Sequence, residues 1–121
     1  MHRSLLLLVF VCFTASAALA QDPVKVDPQH YKVIFENDQV RVLRIHYGPH
    51  EKSVMHSHPD SVVVYESEVH MKMTTPDGKS VESSGKAHDS LWTPAGAHLP
   101  ENLTDKPVDA VLVELKTKPT H

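Results

Sequence analysis

The sequence predicts an all-β domain, a single antiparallel sandwich or barrel. Three observations carry this. Apolar and polar side chains alternate with a period of two in several short runs from Tyr31 onward, the pattern of a half-buried strand. No helical period longer than two turns appears beyond residue 20. The four glycines, Gly48, Gly78, Gly85 and Gly96, fall in the expected breaks, where a strand-and-turn chain needs backbone freedom. At 121 residues the chain is long enough for one core and too short for two.

The elements follow in order. Residues 21–30 are polar, hold Pro23 and Pro28, and read as an extended N-terminal arm. Tyr31 to Glu36 is a short strand, turned by Asn37-Asp38 into Val40 to Tyr47, where Leu43, Ile45 and Tyr47 share one face and Arg44 and His46 the other. Gly48-Pro49 breaks that run. Val54 to His58 ends at Pro59-Asp60, and Val62 to Glu66 is a β-branched, buried strand. Glu68 to Thr74 alternates Val69, Met71 and Met73 with Glu68, His70, Lys72 and Thr74. Pro76-Asp77-Gly78 is a strong hairpin signal that returns the chain along Lys79 to Ser83. Ser90 to Thr93 leads through Pro94-Ala95-Gly96 into Ala97 to Leu99. After Asp105-Lys106-Pro107, Val108 to Leu115 closes the sheet. The barrel domain therefore spans 31–116, with 117–121 as a tail.

The N-terminus reads as an address. A basic start at Arg3 precedes nine residues without a polar side chain, Leu5 to Phe13, and Ala18-Leu19-Ala20 offers a cleavage site before Gln21. This is the plan of a secretory signal peptide over 1–20, and the apolar run is too short to span a bilayer. The expected mature chain is secreted or periplasmic, has no cysteine, and must be held by its core, helped by a metal or a partner chain. With 12 Lys+Arg against 15 Asp+Glu, no basic face for nucleic acid is expected, and no membrane association.

The unusual number is ten histidines. On a strand, His56 and His58 point to one face with Cα atoms about 6.6 Å apart, close enough to converge on one ion. Taken alone, two histidines share a strand face by chance often enough to mean little. A second feature changes this: Pro94-Ala95-Gly96-Ala97-His98 is a turn that delivers another imidazole onto a strand, with Pro94 rigid and Gly96 permissive. His30, His46, His50, His70, His88 and His121 read as surface or loop residues, with His50 the reserve ligand.

Together these segments resemble the two motifs of the cupin superfamily of small β-barrels. Gly48, His56 and His58 match the first motif, and Gly85, Pro94, Gly96, His98 and Asn102 the second. The resemblance spans Gly48 to Asn102 and implies a cupin-type jelly-roll barrel. Three spacings depart from the pattern. Seven residues separate Gly48 from His56 and eight separate Gly85 from Pro94, both longer than usual, while one residue between Gly96 and His98 is shorter. The larger departure is chemical. The motif's glutamate falls at position 62 or 63, and both are Val. Glu66 lies about 13 Å farther along the strand, and Asp60 sits in a turn.

The resemblance thus implies one divalent ion (Fe, Zn, Mn, Cu or Ni) held by His56, His58 and His98, with Glu101 and Asn102 as partners for the far ring nitrogens. Asn102 reads equally as a turn former. Three neutral imidazoles leave about two positive charges in the pocket, which favours a small anionic ligand. Two functions follow: a metal-dependent enzyme, an oxygenase or a metal-assisted isomerase or hydrolase, with Tyr47, Tyr65 or Glu101 as candidate acid or base, or a non-catalytic module that binds metal or a small ligand. The strands Tyr31–Glu36 and Val40–Tyr47 offer an edge for a homodimer.

Overall fold

The computed structural model describes residues 21–117. The expected signal peptide over 1–20 and His121 lie outside them. Nine strands follow a short helix: α1 (Pro23–Val26), β1 (Tyr31–Glu36), β2 (Val40–Tyr47), β3 (His56–His58), β4 (Ser61–Tyr65), β5 (Val69–Thr74), β6 (Ser80–Gly85), β7 (Ser90–Thr93), β8 (Gly96–Asn102) and β9 (Val108–Leu115). Two antiparallel sheets result, one of five strands in the order β1-β2-β9-β4-β7 and one of four in the order β3-β8-β5-β6. The crossovers between sequence-distant strands make this a jelly roll.

The core sits between the sheets, where the inward positions of both meet. Leu43 and Tyr47 of β2, Val63 and Tyr65 of β4, Val69 and Met71 of β5, and Val108, Ala110 and Leu112 of β9 are all buried. On β9 every second residue points inward, and that series ends in a carboxylate: Val108, Ala110, Leu112, Glu114. The Val111, Val113 and Leu115 face is only partly covered. Gly78 turns the β5–β6 hairpin at φ 83, a conformation that only glycine adopts without strain.

Three expectations are corrected. The arm over 21–30 is not simply extended, because residues 23–26 form a helical turn. Asp22 caps it by accepting a hydrogen bond from the Val24 amide at 3.0 Å, and Pro23 opens the first turn, so the start signal was present in the sequence. His30, read as a surface or loop residue, does lie in a turn but is only 6% exposed, because its ring stacks on Tyr47 at 4.4 Å. Of the two strands expected to offer an edge, β1 does lie at one. β2 is paired on both sides, with β1 and β9. On β1 the register slips between Val33 and Phe35, and Val33, Ile34 and Phe35 are 42–54% exposed. Among the described residues no helix is long and apolar enough to cross a membrane.

Candidate metal centre

Two paired strands build the site. His56 and His98 are register partners across β3 and β8, and His58, two residues on, shares the inward face of β3. The three ring centroids stand 4.8, 4.9 and 5.2 Å apart with planes 77–88° to one another. One nitrogen from each ring lies within 4.8 Å of the others. The first pair and the sequence-distant third ring therefore meet, as expected.

Strand pairing, rather than glycine freedom at Gly96, positions His98. Gly96 has an ordinary φ, and a Cβ there would meet nothing within 4 Å. It is the first residue of β8 and pairs with His58, so the ladder itself sets the third imidazole opposite the first. Asp60 supports this end, accepting a hydrogen bond from the Ala95 amide at 2.8 Å and joining the two turns that flank the ligand strands.

Hydrogen bonds orient two of the rings. His56 Nδ1 lies 2.8 Å from the Val54 carbonyl, which can only accept, so Nδ1 carries the proton and Nε2 presents its lone pair. His58 Nδ1 donates to Glu114 Oε2 at 2.8 Å, with the same consequence. The Nε2 atoms of His56 and His98 are buried and bond to no group among the described residues. An unpartnered buried nitrogen is destabilising by about 1–3 kcal/mol, and here two converge with a third ring. The donor set fits a divalent ion: three imidazoles, two of them held with Nε2 as the acceptor, and an unpartnered Nε2 on His98.

Glu114 is the residue that sequence reasoning missed. It is 2% exposed and bridges His58 to Arg41, whose Nε donates to Oε1 at 2.6 Å; the guanidinium also binds Asp22 at 2.8 and 3.0 Å. The motif pattern points along β4, to positions 62 and 63, but the acid arrives from the neighbouring strand, where Glu114 pairs with Ser61. The available signal was a carboxylate continuing an apolar, period-two series. Burial pushes its carboxyl up, but hydrogen bonds from His58 and Arg41 outweigh this and hold it below the usual range.

Glu101 and Asn102 do not serve the rings. Asn102 is fully buried but faces the loops: its Nδ2 donates to the Gly48 and Lys106 carbonyls at 3.0 and 2.7 Å, and its Oδ1 accepts from the Thr104 amide and hydroxyl. Glu101 lies 4.0 Å from the Lys72 ammonium. Val54 and Glu114 take the role expected of them, because Glu101 and Asn102 lie beyond the ring-bearing end of β8. Asn102 is a turn staple.

Behind His56 runs a second polar chain. Ser53 Oγ lies 3.3 Å from His56 Nδ1 and donates to Asp27 at 2.5 Å; Asp27 bonds His30 Nδ1 at 2.8 Å, and His30 Nε2 reaches Glu51 at 2.5 Å. The Tyr31 ring packs 4.8 Å from that of His56, and the Tyr31 and Tyr47 hydroxyls share a hydrogen bond of 2.6 Å. Among the described residues His46, His50 and His88 are exposed and His70 is partly so, with His46, His50 and His70 each paired to a carboxylate.

Burial sets the protonation of the site. It lowers His56 to about 4 and His98 to about 3, with the neighbouring imidazoles adding to the shift, so both rings are neutral near pH 7. Burial also pushes the Tyr31, Tyr47 and Tyr65 phenols up, leaving each a neutral donor. A cavity of about 410 Å³ adjoins the rings, lined by His58, His98, Tyr31, Tyr47 and Tyr65 among mainly apolar side chains; Glu101 is not in its wall.

No family model matches the chain, and no curated protein matches it. Solved structures do. A cupin domain from Bordetella pertussis is 29% identical with a TM-score of 0.67, over 72% of this chain and 92% of that one. A protein with a double-stranded β-helix domain from Klebsiella pneumoniae is 21% identical, TM-score 0.56, over 73% and 84%. An RmlC-like cupin family protein from Methanocaldococcus jannaschii shares the fold at 14% identity, TM-score 0.57, over 70% and 77%.

Proposed function

The chain belongs to the cupin superfamily, and from that premise we propose that it binds one divalent metal through His56, His58 and His98 and acts on a small anionic molecule in the adjoining cavity as an oxygenase-like enzyme. The observation that carries this reading is the pair of buried, unpartnered Nε2 atoms on His56 and His98, with a nitrogen of His58 within 4.8 Å of the cluster's other ligand atoms. A divalent ion there supplies Lewis-acid or redox chemistry to a ligand on its open face.

The chain's own residues do three things in this scheme. Val54 and Glu114 hold two rings as Nε2 donors. The neutral state of His56 and His98 keeps them free of protons that would compete for the lone pairs. The cavity encloses the ligand and offers phenolic hydrogen-bond donors beside the rings. Among the described residues no carboxylate, amine or thiol lines its wall, so no such base stands ready to take a proton from the ligand. That wall favours oxygenase-type chemistry over hydrolysis or isomerisation. It equally supports a second reading, a non-catalytic module that retains metal or a small ligand.

Export rests on the leader pattern of residues 1–20, and a homodimer through the free edge of β1 rests on its exposed Val33, Ile34 and Phe35. Elemental analysis tests the main reading. The protein from residue 21 onward should carry close to one equivalent of metal after incubation with Fe, Mn, Zn, Cu or Ni, and His98→Ala should carry none. Stoichiometric metal with oxygen uptake in the presence of thiols, diketones or hydroxylated aromatics supports the enzyme; metal without turnover supports the module. No metal in any incubation ends the enzyme reading and leaves only a module that binds a small ligand.

A further inference from the structure

The wall of the cavity says more about the ligand than its charge at one end. Apart from His58 and His98, no ionisable nitrogen or carboxylate lines it among the described residues: no Asp, Glu, Lys or Arg. Its other polar side-chain atoms are the phenols, the hydroxyls of Thr75, Ser83 and Thr93, and the indole N–H of Trp92, none of them charged. The rest is aliphatic, aromatic or thioether. Met71 is 3% exposed and Met73 packs against the core, both in the wall, and such unbranched side chains adapt to bodies of varied shape. Leu91 and Trp92, on edge strand β7, are 45% and 56% exposed and stand where the cavity reaches solvent.

A ligand whose anionic head meets the three rings must lay its body along this wall. A second charge of either sign would be buried without a counter-charge or a full set of hydrogen bonds, and the wall cannot compensate that desolvation. Apolar groups on the body lose water and gain contact instead. We propose that the cavity selects amphiphilic ligands with one anionic head, a carboxylate, enolate, phenolate or thiolate, and one uncharged apolar body. Dianions, zwitterionic amino acids and phosphorylated sugars are rejected. This inference rests on the metal reading above and narrows its substrate class.

The test uses Co²⁺ alone as the metal and a carboxylate series differing only in the body: acetate, caproate, adipate and ε-aminocaproate. Binding is read from the visible bands of the Co²⁺-loaded protein, and independently from the fluorescence of Trp92, the single tryptophan. Caproate should bind at least about tenfold more tightly than acetate, adipate or ε-aminocaproate. Met73→Lys places a cation in the wall and should bring adipate level with caproate or ahead of it. Adipate or ε-aminocaproate binding the native protein as tightly as caproate overturns the proposal, as do Co²⁺ bands that no member of the series perturbs. In both cases the metal site stands. Absence of Co²⁺ bands defeats the metal reading itself, and the ranking by Trp92 fluorescence then decides the selectivity of the cavity alone.

Discussion

His56 and His98 face each other as register partners of β3 and β8, and each carries a buried Nε2 atom that no group among the described residues satisfies. One strand pair thus contains both the geometry of a ligand site and an uncompensated polar cost. An ion relieves that cost, and so does removal of the nitrogen.

His98→Leu should therefore leave the metal-free protein as stable as the parent, or raise its stability by about 1 kcal/mol, since it deletes a buried unsatisfied atom. The same variant should lose the stabilisation that metal gives the parent, about 2.7 kcal/mol at a hundredfold excess over Kd. Thermal melts with and without Co²⁺ check both halves. A metal-induced rise in Tm that survives the substitution would exclude His98 as a ligand.

Glu114→Gln keeps the shape of the side chain and removes its charge. The His58 Nδ1–H bond becomes neutral and weaker, and Arg41 keeps only Asp22 as a charged partner. Metal affinity should fall by about 10–100-fold, the usual effect of losing a partner that orients a ligating ring. Competition with a chelating indicator measures it. An unchanged Kd would show that the carboxylate serves Arg41 alone.

The metal-free protein should weaken in acid. Above pH 6.5 folded and unfolded chains both hold His56 and His98 neutral, so neither ring affects stability. Below it the unfolded chain takes up protons that the folded chain refuses down to about pH 4 at His56 and about pH 3 at His98. Each tenfold loss of proton affinity on folding corresponds to about 1.4 kcal/mol, so His56 alone costs the fold on the order of 3 kcal/mol by pH 4. Urea midpoints should drop steadily between pH 6.5 and 4, and His98→Leu should flatten the slope.

Two glycines in the matched motifs should behave oppositely. A Cβ on Gly85 would run into the ring of Tyr65, a core residue, so Gly85→Ala should destabilise by about 1–3 kcal/mol. Gly96→Ala, beside His98 but in open space, should stay within about 0.5 kcal/mol of the parent and bind metal as the parent does. Chemical denaturation of both variants checks the contrast.

Asn102→Ala should separate a staple from a metal partner. It removes bonds to Gly48, Lys106 and Thr104, and the fold should lose about 2–4 kcal/mol. Metal Kd at a temperature where the variant is folded should not move.

Much of the fold was legible because strands advertise themselves locally. The alternation along β2, β5 and β9 follows from side-chain period alone, and the inward faces of β2 and β5 are the ones that pattern marked. His56 and His58 share a face for the same reason, and the second motif pointed to His98. What sequence reading misplaced is what arrives from elsewhere in the chain. His30 reads as a surface or loop residue, and its burial goes unseen because its cover, Tyr47, is a neighbour only in space. Nearness along the chain points to Glu101 and Asn102, whereas Glu114 reaches His58 from 56 residues away.

The amino-acid order by itself determined the strand-and-turn class and that His56 and His58 share one strand face, since both are consequences of backbone periodicity within a few residues; His98 joined them through the resemblance of its turn to the second motif. Only the tertiary structure decided which acid holds His58, which tautomers present their lone pairs, and that among the described residues no charge borders the cavity beyond the rings. These depend on which strands become neighbours, and pairing is chosen by burial across the whole barrel rather than by any one segment.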